Sequence, residues 1–169
     1  SLSLDLVNKG LVTNGIAMNI CYEAKTEYLG EKAKDWYGKV MPKPSHGSIG
    51  LTRYTSSTKI IVNAALELFD KIINPQLEVR RVAIAALNVI YEEDVPEVSF
   101  EQLDLFSDAE ELENREKKIQ EQLIEEKDLQ KTILKIQQKY GKNSLIKGTD
   151  LEEGATTKER NTQIGGHRA

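Results

Sequence analysis

Forty residues in the middle of this chain cannot enter a hydrophobic core. Residues 91–130 hold 15 Asp and Glu against 4 Lys and Arg, and a segment so charged repels itself and stays solvated. A core must therefore come mainly from the residues before it. Residues 1–90 hold 11 basic against 8 acidic side chains, and residues 131–169 hold 8 against 4, so the net charge of −4 conceals a basic–acidic–basic division. With 39% hydrophobic residues, the 169-residue chain has material for one modest core plus an extension. The single cysteine, Cys21, excludes an internal disulfide framework and fits a reducing compartment. No basic start precedes an apolar stretch, and no apolar run approaches the roughly 20 residues needed to span a bilayer. The expectation is a cytoplasmic protein without a membrane partner.

The first ninety residues carry alternating structural signals. Leu2, Leu4, Leu6 and Val7 lead to Lys9-Gly10, the pattern of a helix ending at a glycine. Gly15–Tyr22 alternates Ile16, Met18, Ile20 and Tyr22 on one face, which predicts a strand. Residues 24–45, broken by Gly30, Gly38, Pro42 and Pro44, read as a long connection in which Trp36 and Tyr37 form a small satellite contact. Ser48–Tyr54 predicts the returning strand. Thr55, Ser56 and Ser57 supply helix caps. Ile60, Ile61, Ala64, Ala65, Leu68, Phe69, Ile72 and Ile73 then recur at the helical period, up to Asn74-Pro75. Val79–Ile90 is largely apolar and rich in β-branched residues, the signature of a central strand. The predicted class is α+β: a small antiparallel sheet packed by two helices, then a long C-terminal helix and a Gly-rich tail. The divisions are 1–91 for the folded domain, 92–107 for an acidic linker, 108–141 for the charged helix and 142–169 for the tail.

Ser107 or Asp108 with Glu110 or Glu111 forms a capping-box pattern that opens the long helix. Its apolar residues fall into two short seams, Leu112, Ile119 and Leu123, then Leu129, Ile133, Ile136 and Tyr140, out of step with one another. So narrow a stripe suits a helix lying on a partner or folding back better than a long self-associated coil. The residues beyond Gly141 are small and polar and are expected to order only by contact.

Gln102-Leu103-Asp104-Leu105-Phe106 stands in the acidic linker. Such a peptide can lie extended in a groove, seat Leu105 and Phe106 in an apolar pocket and hydrogen-bond through the Gln102 amide. Burying each anchor is worth about 1.5–3 kcal/mol before ordering costs, so binding would be modest and reversible. The plain structural alternative is that the two side chains cover the edge of the domain. The pentapeptide resembles the linear motif with which bacterial polymerases and repair proteins hold the ring-shaped sliding clamp.

The wider chain resembles the little-finger domain of Y-family translesion DNA polymerases. The resemblance lies in the run Gly10-Leu11-Val12-Thr13-Asn14-Gly15-Ile16-Ala17-Met18-Asn19-Ile20, in Ser57-Thr58-Lys59 opening the helix, and in Val79-Arg80-Arg81-Val82 opening the last strand. Tyr140-Gly141-Lys142-Asn143, Glu153-Gly154-Ala155-Thr156-Thr157 and Glu159–His167 resemble the tail of the UmuC/UvrX-like branch of Gram-positive bacteria and their mobile elements. The resemblance implies DNA repair by translesion synthesis within the SOS response. It also implies a grip on primer–template backbone without sequence reading. Candidates for that grip are Thr52, Arg53, Thr55 and Ser57 around the second strand and Arg80 and Arg81 at the third, the two arginines on opposite faces of one strand. An excess of only three positive charges predicts weak, salt-sensitive binding.

Catalysis in that family needs metal-binding carboxylates in a palm domain. No palm is recognisable in these residues, so the chain is expected to be the C-terminal part of a longer polymerase, without a cofactor of its own. The Mg²⁺ would belong to the parent protein's palm. The family's little finger begins with a strand before its first helix, so a chain starting inside that helix is expected to expose a sheet edge. The tail 159–167 suggests a further partner from the DNA-damage response.

Two other classes compete with this reading. One is a non-enzymatic, clamp-tethered adaptor whose small domain never touches DNA. The other, a complete small enzyme, finds no constellation: His46 and His167 are far apart without clustered ligands, and Gly165-Gly166-His167-Arg168-Ala169 lacks the lysine and preceding strand of a phosphate loop.

Overall fold

The alternation Ile16-Met18-Ile20-Tyr22 forms the middle of a sheet, in a computed structural model that describes residues 2–24, 27–34, 37–96, 109–164 and 167–168. Helix α1 (Leu2–Asn8) ends at Gly10, whose φ of +64° turns the chain into strand β1 (Leu11–Tyr22). Short strands β2 (Lys32–Lys34) and β3 (Val40–Pro42) pair as a ribbon within the connection to β4 (Ser45–Thr55). Helix α2 (Thr58–Ile72) follows, then β5 (Val79–Leu87) and β6 (Ile90–Tyr91). The main sheet runs β4-β1-β5, all antiparallel, with β6 pairing the start of β1. The α+β class read from the sequence is the class observed.

One face of the sheet builds the core. Ile16, Met18, Ile20 and Tyr22 are buried against Leu6 of α1 and against Ile61, Ala64, Ala65 and Leu68 of α2. The approach is closest at Gly47, where an added Cβ would stand 2.9 Å from the Ile72 Cγ2 and 3.2 Å from the Leu68 Cδ1. Glycine there lets the helix settle on β4. The Tyr22 hydroxyl lies 2.8 Å from the Ser45 Oγ and accepts the Asn74 N–H at 2.8 Å, so one buried side chain ties β1 to β4 and to the chain leaving α2.

Where β5 gives way to β6, Asn88 adopts a φ of +49° and its side-chain amide donates to the Asn14 Oδ1 at 2.9 Å. The fully buried Thr13 hydroxyl donates to the carbonyl of Gly15 and reaches that of Leu87. This knot fixes a kink that lets one stretch of chain pair twice with β1.

Two sequence expectations are corrected. Val79–Ile90 is not a central strand: β1 holds the centre and β5 is an edge, with residues 79–85 exposed. Its apolar run arises from large residues on one face and alanines on the other, not from burial on both sides. The 24–45 connection contains the β2–β3 ribbon, whose three-residue strands are too short for a periodic signal. Of the pair read as a satellite contact, Tyr37 is 91% exposed and Trp36 lies outside the described residues.

The chain forms two compact units, Ser1–Ser107 and Asp108–Ala169. In the second, α3 (Ala109–Tyr140) ends at Gly141, whose φ is +92°. The expected capping box at Ser107 or Asp108 lies outside the described residues. Beyond the helix the tail, expected to order only by contact, has regular elements of its own. Short 3₁₀ turns at Lys142–Ser144 and Gly148–Leu151 lead to α4 (Thr157–Asn161), and strands β7 (Gln163–Ile164) and β8 (His167–Arg168) pair after it. Asn143 donates to the Lys158 carbonyl at 3.3 Å and accepts from Asn161 at 2.8 Å, and Gln137 of α3 donates to the Leu145 carbonyl at 3.0 Å. Asp150 accepts the Thr157 hydroxyl at 2.7 Å and the Lys147 N–H at 3.0 Å.

Tyr22→Phe removes the shared hydroxyl and leaves the Asn74 N–H without its partner. It should destabilise the first unit by about 1–3 kcal/mol, seen as a lower urea midpoint; an unchanged midpoint would show the bond to be idle. Asp150 is held below its ordinary value of 3.8, by the Thr157 hydroxyl first and the Lys147 N–H second. The ionised form therefore favours the folded tail: its contribution is full well above pH 3.8 and is lost as pH falls through the lower folded value. The Lys147 amide resonance should titrate with a midpoint below 3.8, and the step should vanish in Asp150→Asn. A midpoint at or above that value would contradict the geometry.

Candidate nucleic-acid interface

The second face of the sheet is defined by the same alternation that defines the core. Residues opposite one another across antiparallel strands share a face. The register therefore sets His46, Asn19 and Ala83 in one row, Ser48, Ala17 and Ala85 in the next, and Gly50, Gly15 and Leu87 in a third. Cys21 and Arg81 begin a further row. His46, Ser48, Gly50, Asn19, Ala83 and Ala85 are exposed, and an added Cβ at Gly50 would meet nothing within 4 Å. Among the described residues of this unit no helix covers the face. Ser48, Ala17, Ala85, Gly50 and Gly15 make most of its middle, with Leu87 on one side, while Asn19, His46 and Arg81 supply polar groups toward one end. A surface with such short side chains brings its backbone within reach of a rigid, rod-like ligand.

Thr52 is exposed, and Arg53 is half-buried and has an interaction partner. Between Thr13↔Thr55 and Gly15↔Gly50 the ladder is irregular, so alternation does not carry through Thr52–Tyr54. Thr55 and Ser57 do not offer their hydroxyls outward. Both are buried: the Thr55 Oγ1 accepts the Ser57 N–H at 3.0 Å and the Ser57 Oγ accepts the Ile60 N–H at 3.3 Å. Their hydroxyls start α2, the Ser57 one as its N-cap. The same sequence, Thr-Ser-Ser-Thr, serves a cap and a phosphate contact equally well on paper, and here the cap has it.

Arg80 and Arg81 are exposed at the start of β5. Cys21 opposes Arg81 while Tyr22 opposes Val79, so Arg80 is the extra residue of a β-bulge. Strict alternation fails at this pair, and the expectation that the two point to opposite faces loses its basis. Arg81 shares the open face with Cys21.

The open-face residues Asn19, His46 and Ser48 were absent from the sequence-predicted set. They were findable, because they are the odd partners of the Ile16-Met18-Ile20 row and of its neighbours across the sheet.

A shallow depression of about 420 Å³ is lined by Gly10, Tyr91, Glu92 and Glu93. Among the described residues no three His, Cys, Asp or Glu converge as metal ligands. No described helix is long and apolar enough to cross a membrane. Gln102–Phe106 lies outside the described residues. No family model, characterised protein or solved structure matches this chain.

Proposed function

We propose that this chain is the DNA-gripping and sliding-clamp-binding region of a cytoplasmic translesion polymerase of the Y-family kind. The observation that supports it most is the uncovered sheet face, flat at its centre and edged by Arg81, Asn19 and His46. Such a face can lie along a duplex and meet phosphates through amides, short polar groups and a few cations without reading bases. Thr52, Arg80 and Arg81 are the exposed members of the set expected from sequence; Thr55 and Ser57 act through the backbone they fix at the start of α2.

Gln102–Phe106 is the tether. A ring encircling DNA turns a weak backbone grip into an intramolecular event and raises the local concentration of whatever the chain carries. The acidic residues 91–130 are repelled by the duplex, which keeps the tether available to the ring. The Mg²⁺ of the polymerase reaction belongs, in this reading, to a palm outside these residues, and the tail beyond Gly141 meets a further DNA-damage-response protein.

The commitment of the Thr55 and Ser57 hydroxyls to a helix cap favours the second reading, a clamp-tethered adaptor of DNA repair that does not hold DNA. Two experiments separate the readings. Leu105→Ala with Phe106→Ala should abolish binding to a bacterial sliding clamp while leaving the far-ultraviolet dichroism unchanged; undiminished clamp affinity would refute the tether in both. Ser48→Glu with Asn19→Glu places two negative charges on the open face. It should weaken binding to primed duplex by about tenfold or more at low salt, equally across sequences. Absence of salt-dependent duplex binding by the unaltered chain would leave the adaptor standing.

A further inference from the structure

Helix α3 changes character past its midpoint. Residues 109–128 hold eight Asp and Glu among four Lys and Arg, whereas residues 129–149 hold five Lys and no acidic residue. In a chain with 27 acidic side chains among 169, about three would fall in that stretch by composition alone. Lys131, Lys135 and Lys139 are spaced four apart and share one face of the helix, each about 6 Å along the axis from the next. Lys142 follows where Gly141 has ended the helix. All four are exposed. Gln130, Ile133 and Gln137, which are buried or half-buried, lie on the other side.

Two ordinary uses of such lysines fall short. Cations near a helix C-terminus favour the macrodipole, but the effect fades within the last turn. It accounts for Lys139 and Lys142, not for Lys131 and Lys135, which lie more than a turn inside. Ion pairing within the helix accounts for one: the Lys131 Nζ lies 3.8 Å from the Asp128 Oδ1, in an exposed pair that contributes little. Among the described residues Lys135 and Lys142 take part in no ion pair. The Lys139 Nζ stands 5.2 Å from the centre of the Tyr140 ring, and the charge of Lys147 acts on Asp150.

We propose that Lys131, Lys135, Lys139 and Lys142 form a cation row that binds the phosphodiester backbone of a nucleic acid. Phosphates are held by cations alone, through release of their counterions, and no apolar anchor is needed. A protein partner or a bilayer surface calls for such anchors. The lysine face offers none, because the residues beside the row on that face are Thr132 and Gln138. The acidic first half of α3 repels the same backbone, which confines the ligand to the C-terminal half. The row belongs to the second unit and does not depend on the sheet face of the first.

The probes are a fluorescein-labelled oligothymidylate strand and a labelled duplex of the same length, titrated with the full chain over a range of salt. Lys131→Gln with Lys135→Gln and Lys139→Gln removes three phosphate contacts at little cost in helix propensity. The slope of log affinity against log salt should become shallower by about 2 on the single strand and about 2.7 on the duplex. Lys117→Gln with Lys118→Gln and Lys127→Gln removes the same charge from the acidic half and should leave the slope in place. In the unaltered chain, either probe should protect Lys131, Lys135, Lys139 and Lys142 from acetylation, a readout that needs no variant to fold. That protection should persist in Ser48→Glu with Asn19→Glu, which separates this row from the sheet face. The tighter of the two probes identifies the strand form preferred. Equal loss of slope in both lysine triples, or no protection of the row, would overturn the proposal. So would tighter binding to polyglutamate or to phosphatidylserine vesicles than to either probe. A dimer that shields these lysines without nucleic acid would also overturn it, since the acidic half of a second α3 would then occupy the row.

Discussion

Strand β1 is the member on which the first unit depends. It is hydrogen-bonded on both sides, to β4 and to β5, and again to β6 near its start. Its inward row of Ile16, Met18, Ile20 and Tyr22 is the buried floor on which α2 rests. Each of those side chains removes about 1.5–3 kcal/mol worth of apolar surface from water, and Tyr22 adds the hydroxyl that fixes β4 and the end of α2. Everything functional follows by subtraction. Once one face of the sheet is spent on the helices, the other is left open, and once α2 is centred between β4 and β1, β5 is left uncovered.

That asymmetry gives the unit two unlike surfaces. The open face is flat, small-residued and nearly uncharged in its centre, suited to the close approach of a backbone. The β5 edge carries the exposed Val82 and Ile84, with Arg80 and Arg81 at one end. Arg81 borders both.

Much of this was legible in the residues. The alternation of β1, the 3.6-residue stripe and Ser57 cap of α2, the length of α3 and the glycine stops at Gly10 and Gly141 each have a local cause, and local causes can be read from sequence. What was not legible depended on contacts between distant residues. A run such as Val82-Ala83-Ile84-Ala85 reads as a strand buried on two sides, and only the placement of α2 reveals that it is an edge. The bulge at Arg80 comes from the register with Cys21 and Tyr22. The roles of Thr55 and Ser57 are set by the Ser57 and Ile60 N–H groups that their hydroxyls accept. The tail beyond Gly141 looked featureless because its order rests on Asn143, Asp150, Thr157 and Asn161, which are spaced too irregularly to form a pattern.

The central claim is that β1 is doubly paired while, among the described residues, β5 is paired on one side only. Amide hydrogen exchange of the free chain, resolved by residue, tests it directly. The account predicts that the amides of Ile16 through Cys21 exchange slowest and without alternation, whereas those of Arg81 through Ala86 alternate between slow and fast at a period of two. Uniform slow exchange along β5, matching β1, would mean that its outer side is already paired, and the open edge would be lost.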